Sequence, residues 1–429
     1  MAKHPTKKSS RQDLVAVNGA TVQIPLPLLS ALEDAESAFF GVCVETGKQV
    51  LAAMMEHDRI ALCGPAGRHD SGRRAVRAGS TKSAVVLGGR RIDMRRPRVR
   101  SVADRELRLP SFEAASHEDP LGRHTLEAIA SGVAMRRYAR SLEPLPASAV
   151  DRSTSRSAVS RRFVALTQKR LAETFSKPLE DLDLRVVMVD GIAFRDHCVL
   201  LALGIATDGT KHVLGLWEGT TENSTVAKAL LRNLIERGLP TDRALLFVLD
   251  GSKALRKAAR DVFGKLALVQ RCQFHKERNV LEQLPQAMRP SVRRAMHQAW
   301  QSSGAELARR QLERLATSLE GEHPGAAASL REGMEETLTL LTLGVDGALY
   351  KTLRSTNPIE NLNGSVADYT KNVKRWRGGG MILRWVGAAL VEASRGFRKI
   401  RGHRQLSHLV LALRQHELEH GVRTEEEAA

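Results

Sequence analysis

Aromatic residues are scarce, 4% of 429, and there are only four cysteines, Cys43, Cys63, Cys198 and Cys272. So few rings argue against a stacking platform for single-stranded nucleic acid, which needs an aromatic face for each base. No two cysteines stand as C-x-x-C, so neither a disulfide framework nor a four-ligand zinc site is expected, and the thiols suit a reducing compartment. Long apolar runs are missing as well. The longest uncharged one, residues 199–206, is far short of the ~20 residues a spanning helix requires. The opening MAKHPTKKSSRQ is basic and leads into no apolar core of the secretory kind. A membrane-spanning protein is excluded on this reading, and a cytoplasmic location is expected. Acid is the minority charge: 48 Asp and Glu against 66 Lys and Arg give a net charge of +18, which calls for a polyanionic partner. With 42% hydrophobic residues the chain can bury a sizeable core, and its length allows two to four domains.

After the polar tail, residues 25–57 carry apolar side chains at helical spacing (Leu28, Leu29, Leu32, Phe39, Phe40, Val50, Leu51, Met54), predicting one or two helices within a region 1–66. Composition then changes. Residues 67–100 hold eleven Lys and Arg against Asp70 and Asp93, half of the net charge, with glycine pairs and β-branched runs. A small strand hairpin laid on a phosphate backbone is the expectation for region 67–120, with Arg95 and Arg96 among its contacts; a solvated basic loop is the plainer alternative. Region 121–180 reads as two helices, interrupted at 143–146 and restarted by the hydroxyls of Ser153, Thr154 and Ser155. In the second, Val159, Phe163 and Leu166 make a buried stripe. Arg156, Ser157, Ser160 and Arg161 are left for the other face, as in a helix-turn-helix recognition helix or, alternatively, a plain helical linker.

From residue 184 the period becomes extended. Runs at Leu184–Phe194, His197–Ala206 and 212–218 predict a three-strand meander, followed by a helix at 225–237, a strand at 244–249, a helix at 252–263 and a strand at 266–269. The order β-β-β-α-β-α-β names an α/β fold with a mixed sheet over 181–275. An all-α stretch, 276–350, follows, with breaks at Pro285, Pro290, Gly321 and Pro324. A last helix starts after Pro358 and runs past Val373, within a segment 351–402. The remainder, 403–429, ends in an acidic run and reads as a frayed helix with no assigned role.

Two acids stand out because each follows a buried apolar run and precedes glycine: VVMV-Asp190-Gly and LLFVL-Asp250-Gly. Either alone is most simply a turn. If the two strands are neighbours, however, their carboxylates converge, and a pair of hard divalent cations, Mg²⁺ or Mn²⁺, turns that repulsion into binding.

These segments, VVMVDGIAF, LLFVLDGSKALRKA, VQRCQFHKERN and STNPIENLNGSV, resemble the Mutator-type transposases of bacterial insertion sequences, of the DDE class. The resemblance runs from roughly residue 121 to 401. It implies a ribonuclease H-like core interrupted by the all-α insertion, in which Asp190, Asp250 and Glu360 bind two metal ions. It also implies nicking of double-stranded DNA at terminal inverted repeats, joining of the freed 3′-hydroxyl to target DNA, a homodimer or larger working complex, and a place at the bacterial nucleoid. No Ser-His-Asp or tyrosine nucleophile motif competes with that reading. One departure stands out: where the family has a basic residue seven positions after the glutamate, this chain has Ala367. Lys371 and Lys374 return to nearly the same helical face and, with Arg375 and Arg377, are expected to hold the DNA end instead. Cys272 and His275 form the C-x-x-H that the family carries; two ligands are too few for structural zinc, so the pair reads as packing strand to insertion. Trp300 reads as a wedge beside a flipped base or, more commonly, as a core tryptophan. Two alternatives are a nuclease of the same chemistry that does not join strands, and a silent transposase-derived DNA-binding regulator.

Overall fold

The computed structural model describes residues 13–420, apart from 18–19, 25, 69–72, 74, 117, 131, 143–150, 152 and 220–222. The polar tail 1–12 and the acidic run at 425–427 lie outside the described residues. The chain divides into two compact units, Met1–Leu166 and Thr167–Ala429.

In the first unit β1 (Asp13–Val17) and β2 (Ala20–Ile24) pair antiparallel. A single helix α1 (Leu26–Cys63) follows, where one or two were expected. The basic region forms the predicted hairpin: β3 (Ala75–Leu87) and β4 (Arg90–Ser101) pair antiparallel across Gly88-Gly89. Both glycines have positive φ, 57° and 70°, the geometry that a two-residue hairpin turn demands. A short β5 (Glu106–Leu107) extends the sheet. Its inner face closes on α1 through Met55, Ala75, Val99 and Leu109, with Leu51, Met94 and Phe112 packed alongside.

Helices α2 (Pro110–Ser116) and α3 (Glu118–Ala130), a 3₁₀ turn (Met135–Ser141) and α4 (Arg156–Phe175) complete the series. Val159 and Phe163 are buried and Arg156, Ser157 and Arg161 exposed, as the stripe predicted, whereas Leu166 is only half-buried and Ser160 lies between the two classes. The spacing differs from expectation. A helix-turn-helix joins its helices through three or four residues, whereas here the 3₁₀ turn and the segment around Pro144 and Pro146 separate α3 from α4.

The second unit is built on a five-stranded sheet: β6 (Leu184–Phe194), β7 (His197–Ala206), β8 (Lys211–Gly219), β9 (Leu245–Leu249) and β10 (Ala267–Arg271), in the order β10-β9-β6-β7-β8. The first three strands of that order run parallel, and β7 and β8 antiparallel. This is the predicted meander and alternation. Helices α5 (Ser224–Glu236) and α6 (Lys253–Phe263) cover one face, where Val187, Val189, Leu245 and Phe247 meet Leu230, Leu234 and Phe263. Side chains of alternate parity, Val186, Met188, Leu246 and Val248, point to the opposite face.

The insertion follows β10 in the chain. Helices α7 (Gln273–Glu282), α8 (Arg289–Trp300), α9 (Ala305–Glu320), α10 (Pro324–Arg331) and α11 (Met334–Thr337) enclose their own core. The chain then rejoins the sheet through α12 (Thr339–Thr342), α13 (Gly347–Leu353), α14 (Asn357–Thr370), α15 (Gly379–Arg395) and α16 (Leu406–Glu419). The last of these is pinned by a buried ion pair, Arg185 Nη1 to Glu417 Oε1 at 2.8 Å, and the same carboxylate oxygen accepts the backbone N–H of Ala244 at 2.7 Å. The insertion is fastened at its base by Arg271, whose Nη1 donates to the Glu332 carboxylate at 2.7 Å, and by the fully buried Lys276, whose amine bonds the Ser329 and Glu332 carbonyls.

Trp300 belongs to this inner core, 1% exposed, with Nε1 donating to Thr337 Oγ1 at 3.2 Å. The base-wedge reading is thereby corrected: a ring enclosed by α8, α9 and α10 residues and hydrogen-bonded through its only polar atom has no face for a nucleotide. Helix α14, expected as the last, also ends earlier than expected. It stops at Thr370 instead of passing Val373, because Thr370, Asn372 and Val373 are poor helix formers and Lys371, Lys374 and Arg375 would repel one another at three- and four-residue spacing.

Candidate active site

The register of β6 against β9 decides where the two aspartates stand. Val186, Val187 and Met188 pair with Leu246, Phe247 and Val248, a constant offset of 60 positions; continued two residues, the same offset sets Asp190 beside Asp250. Both have the parity of Met188 and Val248, whose side chains face α14. That register is compatible with the convergence expected from the sequence, on one face and at one end of two parallel strands. One detail differs. Asp250 does follow the last residue of its strand, but Asp190 lies inside β6, paired with Leu201 of β7. It reads as a strand end from the β9 side alone, because β9 stops five residues earlier in register than β6 does. Gly191 is thus a strand residue, not a turn.

Gly251 is a true turn residue. Its φ is +115°, and a Cβ there would stand 2.5 Å from Arg271 Nε. Any side chain would push against the guanidinium that fastens the insertion, so only glycine lets the chain leave β9 at this point. Asp250 Oδ1 then accepts the Ser252 N–H at 2.9 Å, and Ser252 caps α6.

Asp190 is held from two sides. Its Oδ1 accepts the Gly191 N–H at 2.9 Å, and its Oδ2 accepts Asn363 Nδ2 at 2.7 Å. Asn363 lies three positions after Glu360, on the same face of α14. Its other amide atom, Oδ1, is buried with no hydrogen-bond partner among the described residues. Glu360 itself, 41% exposed, accepts a hydrogen bond from Thr356 Oγ1 and stands 3.7 Å from His275 Nδ1. Pro358 in the first turn of α14 sets the helix start that brings Thr356 and Glu360 together.

The C-x-x-H pair is placed at the same point. Cys272 leaves β10 with its N–H on Leu249 O at 2.7 Å, and Gln273 N donates to Arg354 O at 2.9 Å. Gln273 Nε2 reaches Tyr350 Oη at 2.8 Å and Thr337 O at 3.0 Å, tying the start of α7 to α13. Cys272 is wholly buried. Burial pushes its thiol up, but hydrogen bonds with His275 and Thr356 outweigh that and leave it below the usual thiol range. The hydrogen bond with Cys272 in turn raises His275, against the effect of burial and with help from the charges of Cys272, Glu360 and Asp250. The donor atoms of Cys272, His275 and Glu360 all lie within 4.8 Å of one another. The pair thus meets the glutamate helix as well as bridging strand and insertion.

The remaining expected contacts divide. Lys371, Lys374, Arg375 and Arg377 are exposed, on the irregular stretch after α14; Lys374 Nζ donates to Lys371 O at 3.2 Å, and Lys371 pairs with Asp368 at 3.9 Å. Arg95 is exposed on the outer side of β4, with Nε on Ser80 Oγ at 3.2 Å. Arg96 is not available in the same way. Strand alternation turns it inward, over the Phe112 ring at 4.8 Å and onto Glu106 Oε1 at 2.8 Å. Sequence reasoning missed Thr356, Asn363 and Gln273. The first two had a signal in TNPIENLN, where positions four before and three after the glutamate share its helical side; Gln273 had none.

Residues 29–399 match the Mutator family of transposases. A transposase for insertion sequence element IS6120 of Mycolicibacterium smegmatis is 28% identical over 50% of this chain and 66% of its own length. One for element IST2 of Acidithiobacillus ferrooxidans is 27% identical over 41% of this chain and 58% of its own. One for IS256 in transposon Tn4001 of Staphylococcus aureus is 28% identical over 64% of this chain and 70% of its own. The chain thus spans about three fifths to two thirds of the first two relatives. Among the described residues no helix is long and apolar enough to cross a membrane. With the family matched across both compact units, from α1 to beyond α15, this chain belongs to the Mutator family of transposases.

Proposed function

We propose that the protein is a DDE transposase that binds the terminal inverted repeats of its own insertion sequence, cleaves DNA with two divalent metal ions, and joins the 3′-hydroxyl end to target DNA. The observation that carries this reading is the parallel register of β6 against β9, which when continued would put Asp190 beside Asp250, with Glu360 on the helix packed against β6. The strand order β10-β9-β6-β7-β8 supports a ribonuclease H-like core. The donor set fits Mg²⁺ or Mn²⁺: three carboxylates, hard oxygen ligands, are carried by β6, the residue after β9 and α14. Asn363 orients Asp190 by its amide, and its unpartnered buried Oδ1 is a further oxygen beside them.

When bound, two such ions supply charge stabilisation for an in-line displacement at phosphorus and ease deprotonation of the attacking hydroxyl. The chain's own residues do the rest. Asp190 and Asp250 fix the ligand positions from the sheet, a rigid platform. Glu360 closes the set from α14 and is the adjustable member, being partly exposed. Arg95 and the stretch carrying Lys371, Lys374, Arg375 and Arg377 are the proposed phosphate contacts, and Arg156, Ser157, Ser160 and Arg161 the proposed reading face. Two element ends must be held together, so a dimer or larger complex is proposed.

The test incubates purified protein with oligonucleotides from the inverted repeats flanking its gene, with Mg²⁺ or EDTA, in wild type and Asp250→Asn. Metal-dependent nicking followed by joining, absent in the variant, is expected. Cleavage by Asp250→Asn at the wild-type rate would sink the assignment. Binding without cleavage would favour a silent regulator, and cleavage without joining a nuclease. Arg156→Ala with Arg161→Ala should weaken recognition of the repeat; a loss that is equal on all sequences refutes the recognition-helix reading.

A further inference from the structure

Beside the carboxylate pair stands a donor set of different chemical character. Cys272 and His275 lie on the first turn of α7, three residues apart and therefore on one side of it, and Glu360 reaches them from the first turn of α14. Their ligand atoms fall within 4.8 Å of one another. Tetrahedral zinc, with bonds of about 2.0–2.3 Å to sulfur, nitrogen and oxygen, places its donors about 3.3–3.8 Å apart. The His275 Nδ1 to Glu360 Oε1 distance is already 3.7 Å. Closing the rest takes a shift of about 1 Å, which Glu360 can supply because its side chain is 41% exposed.

We propose that Cys272, His275 and Glu360 form a binding site for one thiophilic divalent cation, Zn²⁺ in preference to Mg²⁺, and that its occupation draws Glu360 away from Asp190 and Asp250 and inhibits strand cleavage. Three protein ligands and one water complete the four-coordinate shell. A thiolate, a carboxylate and a neutral imidazole carry two negative charges, matching the cation; the thiol proton passes to solvent on binding. The thiolate is what discriminates, since sulfur ligands select zinc-like ions and oxygen sets select magnesium. Thr356 keeps the site preformed: its Oγ1 bonds Glu360 and stands 3.4 Å from His275 Nδ1. Two neighbouring sets of opposite softness thus share one glutamate. The binding claim stands on geometry alone; the inhibitory claim rests on the functional reading above.

The experiment titrates Co²⁺ into the full chain without DNA or Mg²⁺, in a background where Cys43, Cys63 and Cys198 are replaced by serine. One equivalent should bring up a thiolate-to-cobalt charge-transfer band and the visible bands of a tetrahedral site, and Zn²⁺ should abolish both. Cys272→Ser should lose the charge-transfer band, and Glu360→Gln should weaken the affinity by about tenfold or more. No band in the parent, or a band that persists in Cys272→Ser, overturns the site; should Cys272→Ser fail to fold, an unchanged affinity in Glu360→Gln does so. In the cleavage assay, Zn²⁺ at the concentration that displaces Co²⁺ should slow the Mg²⁺-supported reaction at least about tenfold, and Cys272→Ser by less than about twofold relative to its own zinc-free rate. Equal inhibition of both removes the inhibitory claim. Cobalt binding without any Mg²⁺-dependent cleavage would strike the transposase reading and leave the site standing, and cleavage without cobalt binding would do the reverse.

Discussion

Glu417→Ala is the substitution whose cost follows most directly from the geometry. The carboxylate is 8% exposed and its partner Arg185 only 4%, so the variant leaves a guanidinium inside the protein with its main counter-charge gone. It also strands the Ala244 N–H, which donates to the same oxygen. Asp183, 3.8 Å from Arg185 and 54% exposed, is too well screened to substitute. Breaking such a pair from one side costs ~3–5 kcal/mol, which in a unit of this size lowers the midpoint of thermal unfolding by roughly 6–20 °C. All four tryptophans, Trp217, Trp300, Trp376 and Trp385, lie in the second unit, so intrinsic fluorescence follows that unit alone. Removing both charges, Arg185→Met with Glu417→Leu, should recover most of the loss, since apolar replacement of an entire buried pair is near neutral. A shift below about 2 °C in Glu417→Ala, or an equal cost of Glu417→Ala with Arg185 present and with Arg185→Met, would refute the reasoning.

Gly251→Ala should destabilise by ~1–3 kcal/mol and lower cleavage beyond the loss of folded protein, because the Cβ meets Arg271 and tilts the turn that carries Asp250; unchanged urea midpoint and rate would contradict this. Trp300→Ala should cost ~3–5 kcal/mol as a cavity in the insertion core; selective loss of cleavage in a fully folded Trp300→Phe protein would restore the base-wedge role. Burial pushes the Lys276 amine down to about 8, against about 10.4 in the unfolded chain. Between those values the unfolded chain holds more protons, so the penalty for burying the charge is complete below the lower value and stability rises with pH through the window. Urea midpoints near pH 7.5 and near pH 9.5 should differ in that direction for wild type and less for Lys276→Met; equal slopes would refute it.

The sheet was legible because each strand carries its own period and the helices between them change it. The strand context of Asp190 and Asp250 was legible for the same reason, since parity along a strand survives translation into space. What escaped was relational. That Asp190 sits within β6 depends on how far β7 extends beyond β9, a property of pairing rather than of either segment. Arg96 counts as one more cation in composition, yet one step along a pleated strand turns it from solvent to Phe112. The early end of α14 was readable in the weak helix formers at Thr370, Asn372 and Val373, but the attraction of a continuous basic face masked it. The meeting of His275 with Glu360 spans the whole insertion, and no local pattern reports it.

The clasp between Arg185 and Glu417 joins positions 232 residues apart. At a synthesis rate of ~5–20 residues per second, roughly 10–50 s pass between the emergence of the two partners. Within that interval β6 and β9 emerge first, Glu360 follows Asp250 by 110 residues, and the helix that seals the sheet comes last. A chain cut short before α14 therefore carries Asp190 and Asp250 but never Glu360. On the proposed function, such a fragment lacks one of its three metal ligands, so cleavage would wait on the last part of the chain to be made.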